Sequence, residues 1–411
     1  MHPASGEFRI GSLITSVYLP TFLFAVGQGA AIPVLPLFAL EMGLSVPMAG
    51  ALVAVRALGH VAFDVPAGFL VARIGERKAM ILGSVLLASA AIGIGLRPPA
   101  IVFAILVALM GAAWAIWILA RLSYAAEVAP IDKRGRVMSI LGGSSRVGNF
   151  VGPLLGGLAV AIFGLAAAFY LQAIFAFAAL ISLALRTPAL DHPPAPPEGM
   201  AEAFFSHFRQ HRRLITTVAL VSIAIQLIRA ARDVLLPLWG NEVGLTASQV
   251  SFVFGAASAF EMVLFYPAGM VMDRFGRKWT GVPCLLVLSL GLALVPLTND
   301  FTSMLLVGLL IGLGNGLGSG IQMTLGSDVA PPGRKASFLG VWRLTTDGGA
   351  AAGPLLMAAI TSIVGLAVAA PVIASIGLVG AGVLALMVPE TLGRVPPPEA
   401  GSYGSVEAGS G

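Results

Sequence analysis

Charge is scarce in this chain of 411 residues: 10% are Asp, Glu, Lys or Arg, against about 25% in soluble globular proteins. Apolar residues make up 57%, and the mean hydropathy is +0.94. No aqueous fold of this length hides so much apolar surface, which excludes a soluble protein. Cysteine is nearly absent. The single Cys284 excludes an intramolecular disulfide, and with no Cys/His cluster a structural zinc is not expected. His207 and His211, at i and i+4, have no third ligand nearby, so no metal site is assigned. There is no GxxxxGK[ST] phosphate loop, no filter-like repeat and no catalytic pair of carboxylates, so nothing points to an enzyme or a channel. The N-terminus lacks a short apolar core followed by a small-residue cleavage site, so the first apolar segment reads as an uncleaved span.

What the chain does contain is a series of apolar segments, each long enough for the ~20 residues that cross a bilayer. They fall at 12–40, 47–72, 78–97, 100–127, 136–163, 165–186, 213–240, 248–272, 278–297, 302–328, 336–363 and 366–388, which predicts twelve spans. Alternate loops hold Arg9, Arg73, Arg77, Lys78, Lys133, Arg134, Arg136, Arg186, Arg209, Arg212, Arg213, Arg274, Arg277, Lys278, Arg334, Lys335 and Arg394, and the opposite loops hold Arg97 alone. Basic loops stay inside, so both termini are predicted to be cytoplasmic, in a multi-pass protein of the cytoplasmic (inner) membrane. The same bias accounts for a pI near 9.7 without nucleic acid. The expected units are 1–187, a linker at 188–212, 213–389, and a tail at 390–411. The linker starts with Pro193, Pro194, Pro196 and Pro197 and ends in an amphipathic surface segment. The tail is rich in Pro, Gly and Ser and reads as disordered.

The two halves repeat at one offset, 237 − 36 = 201. That offset aligns Pro36 with Pro237, Pro66-Ala67-Gly68 with Pro267-Ala268-Gly269, Val128-Ala129-Pro130 with Val329-Ala330-Pro331, and Gly152-Pro153 with Gly353-Pro354. An even number of spans per half makes this a parallel repeat. Between the second and third spans, Gly68-Phe-Leu70-Val-Ala72-Arg73-Ile-Gly75-Glu76-Arg77-Lys78 resembles the cytoplasmic signature GxLaDRxGRRxxL of the major facilitator superfamily. Gly269, Asp273, Arg274, Gly276 and Arg277 match it more closely, and Ala72 departs from it. Gly148, Gly152, Pro153, Gly156 and Gly157 look like the fifth-helix signature GxxxGPxxGG of its proton-coupled antiporters. At the fourth-span position where that branch has Arg, this chain has Val107. The chain is identified as a member of the superfamily, most similar to its twelve-span drug:proton antiporters. The resemblance implies an all-α membrane protein of two pseudo-symmetric six-helix bundles. It also implies a monomer without cofactor, with the proton gradient as energy source and a small-molecule substrate and the lipid bilayer as partners. The acid of the loop signature is expected to pair across to the other half.

Ionisable residues within spans are costly and usually face a cavity or a partner. Counting depth at 1.5 Å per residue places Arg56 and Asp347 both roughly 18 Å from the basic loops. In the superfamily spans two and eleven pack together, as do five and eight. Arg56 is therefore expected near Asp347, with Arg343 one turn below sharing it, and Arg146 near Glu261. These charges, with Asp64, are the proton-coupling candidates; static ion pairs are the alternative. For the substrate cavity the candidates are Gln28, Arg229, Arg232, Asp233, Asn315 and Gln322. Asp233 is expected to pair with Arg229 at i+4. Trp114, Trp117, Tyr124, Phe254, Phe260 and Trp342 are candidates for an aromatic wall, with core or lipid-facing packing as the alternative, and Arg121, Glu127 and Asp328 for gate contacts. The expected function is a secondary active transporter working by alternating access, in which protons drive export of a small lipophilic compound. The rival is uptake or facilitated diffusion of a sugar, carboxylate or amphipathic metabolite by the same fold.

Overall fold

A computed structural model of the chain describes residues 13–130, 133–188, 200–331 and 335–390. These residues are helical with no strand. Twelve helices have the length and apolarity to cross a membrane: α1 (Ile14–Glu41), α2 (Val46–Ile74), α3 (Glu76–Gly95), α4 (Ala100–Val128), α5 (Arg134–Phe163), α6 (Ala166–Arg186), α7 (His211–Glu242), α8 (Ala247–Phe275), α9 (Lys278–Leu297), α10 (Phe301–Asp328), α11 (Phe338–Val364) and α12 (Leu366–Leu386). Their ends agree with the predicted spans to within a few residues. The proline-rich start of the expected linker, 189–199, and the tail from 391 lie outside the described residues. The end of that linker is helical: a helix starts at Met200 and runs into α7 across a break at His211.

The repeat in sequence is a repeat in packing. In the first half α1 packs on α5, α2 on α4, and α3 on α6. In the second half α7 packs on α11, α8 on α10, and α9 on α12. The halves meet through α5 against α8 and α2 against α11. Large apolar side chains such as Phe163, Leu185, Ile363 and Leu386 are exposed on the outside. In water that surface would be unfavourable at about 25 cal/mol per Å2, and in lipid it is at home. An even number of spans puts both described chain ends at one end of the bundle, called here the terminal end. The opposite end is the distal end.

Small residues decide how closely the helices approach. A Cβ added at Gly148, Gly152 or Gly156, one turn apart on α5, would lie 2.6 Å from Ala25 Cβ, 2.5 Å from Val26 O or 2.7 Å from Ala30 O of α1. Gly157 faces the other half, where a Cβ would come 2.9 Å from Ser251 of α8. In lipid, where hydrophobicity does not drive helices together, such close backbone packing does. Pro153 sits inside α5 without interrupting it.

The halves are not packed evenly along their length. Towards the distal end, a Cβ on Gly50 of α2 would meet Val234 at 3.2 Å and Ala358 at 3.4 Å, and one on Gly255 would meet Leu154 at 2.6 Å. Towards the terminal end, Gly142 and Gly143 of α5 and Gly348 of α11 have nothing within 4 Å. The seam between the halves is closed distally and open terminally.

Three pairs of glycines with positive φ also follow the offset of 201: Gly43 and Gly244, Gly75 and Gly276, Gly164 and Gly365. Gly320 (φ 83°) has no such partner, because Leu119 stands at the equivalent place in an unbroken α4. Around Gly318-Ser319-Gly320, α10 is interrupted, and helix resumes at Ile321.

The signature loops are tied within their own halves. Arg77 donates to Ala184 O of α6 at 2.6 Å, and buried Glu76 accepts from Ser123 Oγ of α4 at 2.9 Å. In the second half Arg277 donates to both oxygens of Asp328, at 2.8 and 3.3 Å, and these bonds hold its guanidinium above the ordinary arginine range. Among the described residues Asp273 approaches Arg277 alone, at 3.9 Å, and is 78% exposed. The expected link from Asp273 across to the other half is therefore not made, since the open terminal seam leaves it facing outward. Arg274 stays beside Phe275. A Cβ on Gly68 would touch Leu119 of α4 at 3.8 Å, Gly269 has open space around it, and Arg73 lies in the last turn of α2.

At the distal end α10 begins with a capping box, in which Asp300 accepts from Ser303 N at 2.8 Å. That backbone hydrogen bond, with the Ser303 hydroxyl, holds the Asp300 carboxyl below the usual carboxylate range. A depressed acid contributes stability above its unfolded pKa of about 4 and loses it as pH falls through the lower folded value. The protection factor of the Ser303 amide in hydrogen exchange is therefore expected to fall below about pH 4. Asp300→Asn, which caps at any pH, should remove that dependence; a dependence that survives it would disprove the cap.

Candidate functional site

Between the halves lies a cavity of about 140 Å3. The first half contributes Gly29, Ile32 and Pro33 of α1 with Arg146, Asn149 and Pro153 of α5. The second contributes Arg232 and Asp233 of α7, Phe254, Ser258, Glu261 and Met262 of α8, and Asn315 of α10. Gly29 and Pro153 line it because the glycine ladder of α5 brings α1 against its wall. Ile32 and Pro33 fall where α1 is interrupted, between helical stretches ending at Ala31 and resuming at Leu35.

The charged wall is a network. Arg146 Nη1 lies 3.2 Å from Glu261 Oε1, an ion pair that crosses from one half to the other. The second oxygen, Oε2, accepts from Asn315 Nδ2 at 2.5 Å. The backbone carbonyl of Asn315 in turn accepts from Arg229 Nη2 at 3.2 Å. The Arg146 guanidinium also stacks over the Phe265 ring, 4.1 Å from its centroid, which satisfies part of its charge in an apolar surrounding. Arg146 and Glu261 thus lie together, on the fifth and eighth spans that the resemblance pairs.

Other expected pairings differ. Asp233 is bound by Arg232, its neighbour in sequence, at 3.4 Å, and not by Arg229. Arg229 turns away from the cavity to Asn315 O and Cys284 Sγ. Arg56 does not meet Asp347. Its Nη2 donates to Gln28 Oε1 at 3.0 Å, which also accepts from Gln172 of α6, and it lies within electrostatic reach of Asp233. Equal depth does not ensure that two side chains share an azimuth. Asp347 instead keeps Arg343, at 3.3 Å, and faces His60 and Asp64, which are 3.3 Å apart on α2. The sequence reading passed over His60. It lies one turn from Arg56 and one from Asp64, and that i, i+4, i+8 series was the signal.

Trp114 and Trp117 are core. Trp117 is fully buried and stacks on Phe24 at 4.0 Å, and Trp114 tilts against the same ring at 5.9 Å, all within the first half. The two tryptophans do not line the cavity, because three large rings fill the space between α1 and α4. Of the aromatic candidates, Phe254 lines the cavity. Gln322 donates to Ser222 O and tethers α10 to α7. Arg121 donates to Ser145 Oγ at 2.7 Å beside Trp117 and faces the like charge of Arg343 across the halves. Asp328 serves Arg277 within its own half. The residues that line the cavity without having been singled out are Asn149, Ser258, Met262, Gly29, Ile32 and Pro33. Uncharged, and either apolar or weakly polar, they carried no signal of their own in the sequence.

The sequence profile described as Major Facilitator Superfamily matches residues 17–231 and 218–408. The chain is 29% identical over 194 residues to the "Uncharacterized MFS-type transporter MT1926" of Mycobacterium tuberculosis, an alignment covering 47% of this chain and 28% of that relative's length. It is 24% identical over 296 residues to "Multidrug resistance protein 2" of Bacillus subtilis, covering 70% of this chain and 73% of that protein. Among solved structures it superposes on a bacterial homolog of the human lysosomal transporter Spinster, in an inward-facing and occupied conformation, with a TM-score of 0.75 at 14% identity over 93% and 97% of the two chains. The last likeness concerns the fold alone. With twelve spans, a doubled packing scheme and a profile that covers both halves, this chain belongs to the Major Facilitator Superfamily of membrane transporters.

Proposed function

We propose that this transporter works as a monomer by alternating access, with its terminal end in the cytoplasm and its place in the cytoplasmic membrane, and that a proton gradient drives export of a small amphipathic compound. The carrying observation is the cavity shared by both halves, closed distally, with the Arg146–Glu261 pair spanning it. A charge pair that crosses the moving seam must part or exchange partners when the halves rock. A carboxylate that loses its cation in an apolar setting binds a proton, and regaining the cation releases it. Glu261 is the proposed coupling acid, with Asp347 second. The cavity lining supports amphipathic cargo over purely lipophilic cargo: Arg232, Asp233, Asn149 and Ser258 meet polar groups, while Phe254, Met262, Ile32 and Pro153 meet an apolar body. The kinship with a multidrug resistance protein favours export.

A second reading, uptake or facilitated diffusion of a carboxylate-bearing metabolite, rests on one observation. Arg146 and Arg232 line the cavity against Asp233 and Glu261, and two further guanidinium groups stand behind that lining, Arg56 on Gln28 and Arg229 on the Asn315 carbonyl, so that among these charges cations exceed carboxylates by 4 − 2 = 2. Proteoliposomes loaded with a pH dye separate the readings. Gradients of lipophilic cations, of organic anions and of sugars are imposed in turn on wild type, Glu261→Gln and Asp347→Asn. Proton movement with amphipathic cations, reduced at least ~10-fold in Glu261→Gln, is the expected result. Movement of an organic anion with no proton flux, unchanged in both variants, would overturn proton-coupled export in favour of the second reading.

A further inference from the structure

His60, Asp64 and Asp347 take no part in the cavity lining, yet they meet at the seam of α2 and α11. One ligand atom from each, a ring nitrogen and two carboxylate oxygens, lies within 4.8 Å of the other two. His60 Nε2 and Asp64 Oδ1 are already 3.3 Å apart. Donors held about 2.1 Å from one ion in tetrahedral or octahedral geometry stand about 3.0–3.4 Å from each other. The side chains of His60, Asp64 and Asp347 are only 16%, 15% and 12% exposed. His60 Nε2 and Asp64 Oδ2 are enclosed without a hydrogen-bond partner, a state that buried polar atoms rarely keep unless something else satisfies them. Gly348, next to Asp347, has nothing within 4 Å of the place a Cβ would take. His60 is also firmly placed: α2 lies backbone to backbone on α4, where a Cβ on Gly111 would come 2.7 Å from His60 N.

We infer that His60, Asp64 and Asp347 form a binding site for one divalent first-row transition cation that joins α2 to α11. One imidazole nitrogen and two carboxylates suit Mn2+, Fe2+, Co2+ or Zn2+ and leave positions for water. Asp347 comes with a competitor, the Arg343 guanidinium 3.3 Å away. The cation must draw Asp347 from Arg343, which keeps binding reversible. The three ligands come from both halves, so a bound ion ties the seam in the arrangement seen here and acts as a brake on rocking. The binding itself does not depend on what the cavity carries or on proton coupling.

The test uses the full chain, free of any affinity tag and purified in detergent, with His2, His192, His207 and His211 replaced by Gln so that His60 is the sole imidazole. Co2+ is titrated into metal-stripped protein by visible absorption, and Zn2+ by calorimetry. One equivalent is expected to bind at micromolar concentration. His60→Gln and Asp347→Asn should each weaken binding at least ~10-fold while eluting as a single species. Asp64→Asn repeats the test should either fail to fold. In liposomes Zn2+ should slow transport by the parent protein and not by His60→Gln. Absence of saturable binding in the parent, or binding unchanged in all three variants, overturns the site. A failed transport assay alone would leave the titration to decide.

Discussion

Gly152→Val is expected to abolish the folded protein, whereas Gly142→Ala and Gly143→Ala on the same helix should be silent. A Cβ at position 152 would lie 2.5 Å from Val26 O and 2.8 Å from Gly29 Cα, both backbone atoms of α1. No side chain can rotate aside, so α1 and α5 must separate. Overpacking costs about 1–3 kcal/mol where neighbours can yield, and more where they cannot. Moving α1 away also opens the contacts one turn on at Gly148 and Gly156. Against a total stability of about 5–15 kcal/mol that loss is large. The yield of monodisperse protein should fall at least ~10-fold, while Gly142→Ala and Gly143→Ala, whose surroundings are empty, stay close to wild type. Equal yields for Gly152→Val and Gly142→Ala would mean that the α1–α5 contact is looser than described.

The second large effect is the rescue of one broken ion pair by removal of both partners. Arg146→Met leaves Glu261 with Asn315 alone, and Glu261→Met leaves Arg146 over Phe265 with no counter-charge. Breaking a fully buried pair costs about 3–5 kcal/mol. Both side chains here are 24% exposed to the cavity, so about 1–3 kcal/mol is expected for each single change after allowance for water. Arg146→Met/Glu261→Met removes both charges and should recover at least half of that loss in thermal unfolding. A double-mutant cycle gives the coupling directly. Transport should remain lost in all three variants, because the proposed role needs both charges. Additive losses of stability would show that the two side chains are not coupled. Full transport by the double variant would remove the pair from the mechanism.

These two experiments address what the sequence made plain. A bilayer requires long apolar helices and tolerates glycine only where another backbone comes close, so the spans, the repeat at 201 and the ladder on α5 could be read from residue type and spacing. Arg146 and Glu261 could be paired because the resemblance names α5 and α8 as partners and each carries one charge of opposite sign inside its span. The same reasoning failed at Arg56, because depth does not give direction around the helix axis. Gln28 and Gln172, buried on α1 and α6, draw that guanidinium inward, and His60 one turn on takes the place beside Asp347. Trp117 failed for another reason: a large ring satisfies a core as well as a cavity, and only the position of Phe24 decides. The polar lining at Asn149 and Ser258 escaped notice because one amide or hydroxyl in a span costs little and so stands out little.

Gly320 bears on the relation between the halves. Two parallel copies of one unit would, were they interchangeable, share every bend equally, one on each side of the seam. A swivel present in α10 and missing from α4 removes that degeneracy. Bending then falls to the second half, while the first, with an unbroken α4, turns as a block. The halves are alike in packing and unlike in how they yield.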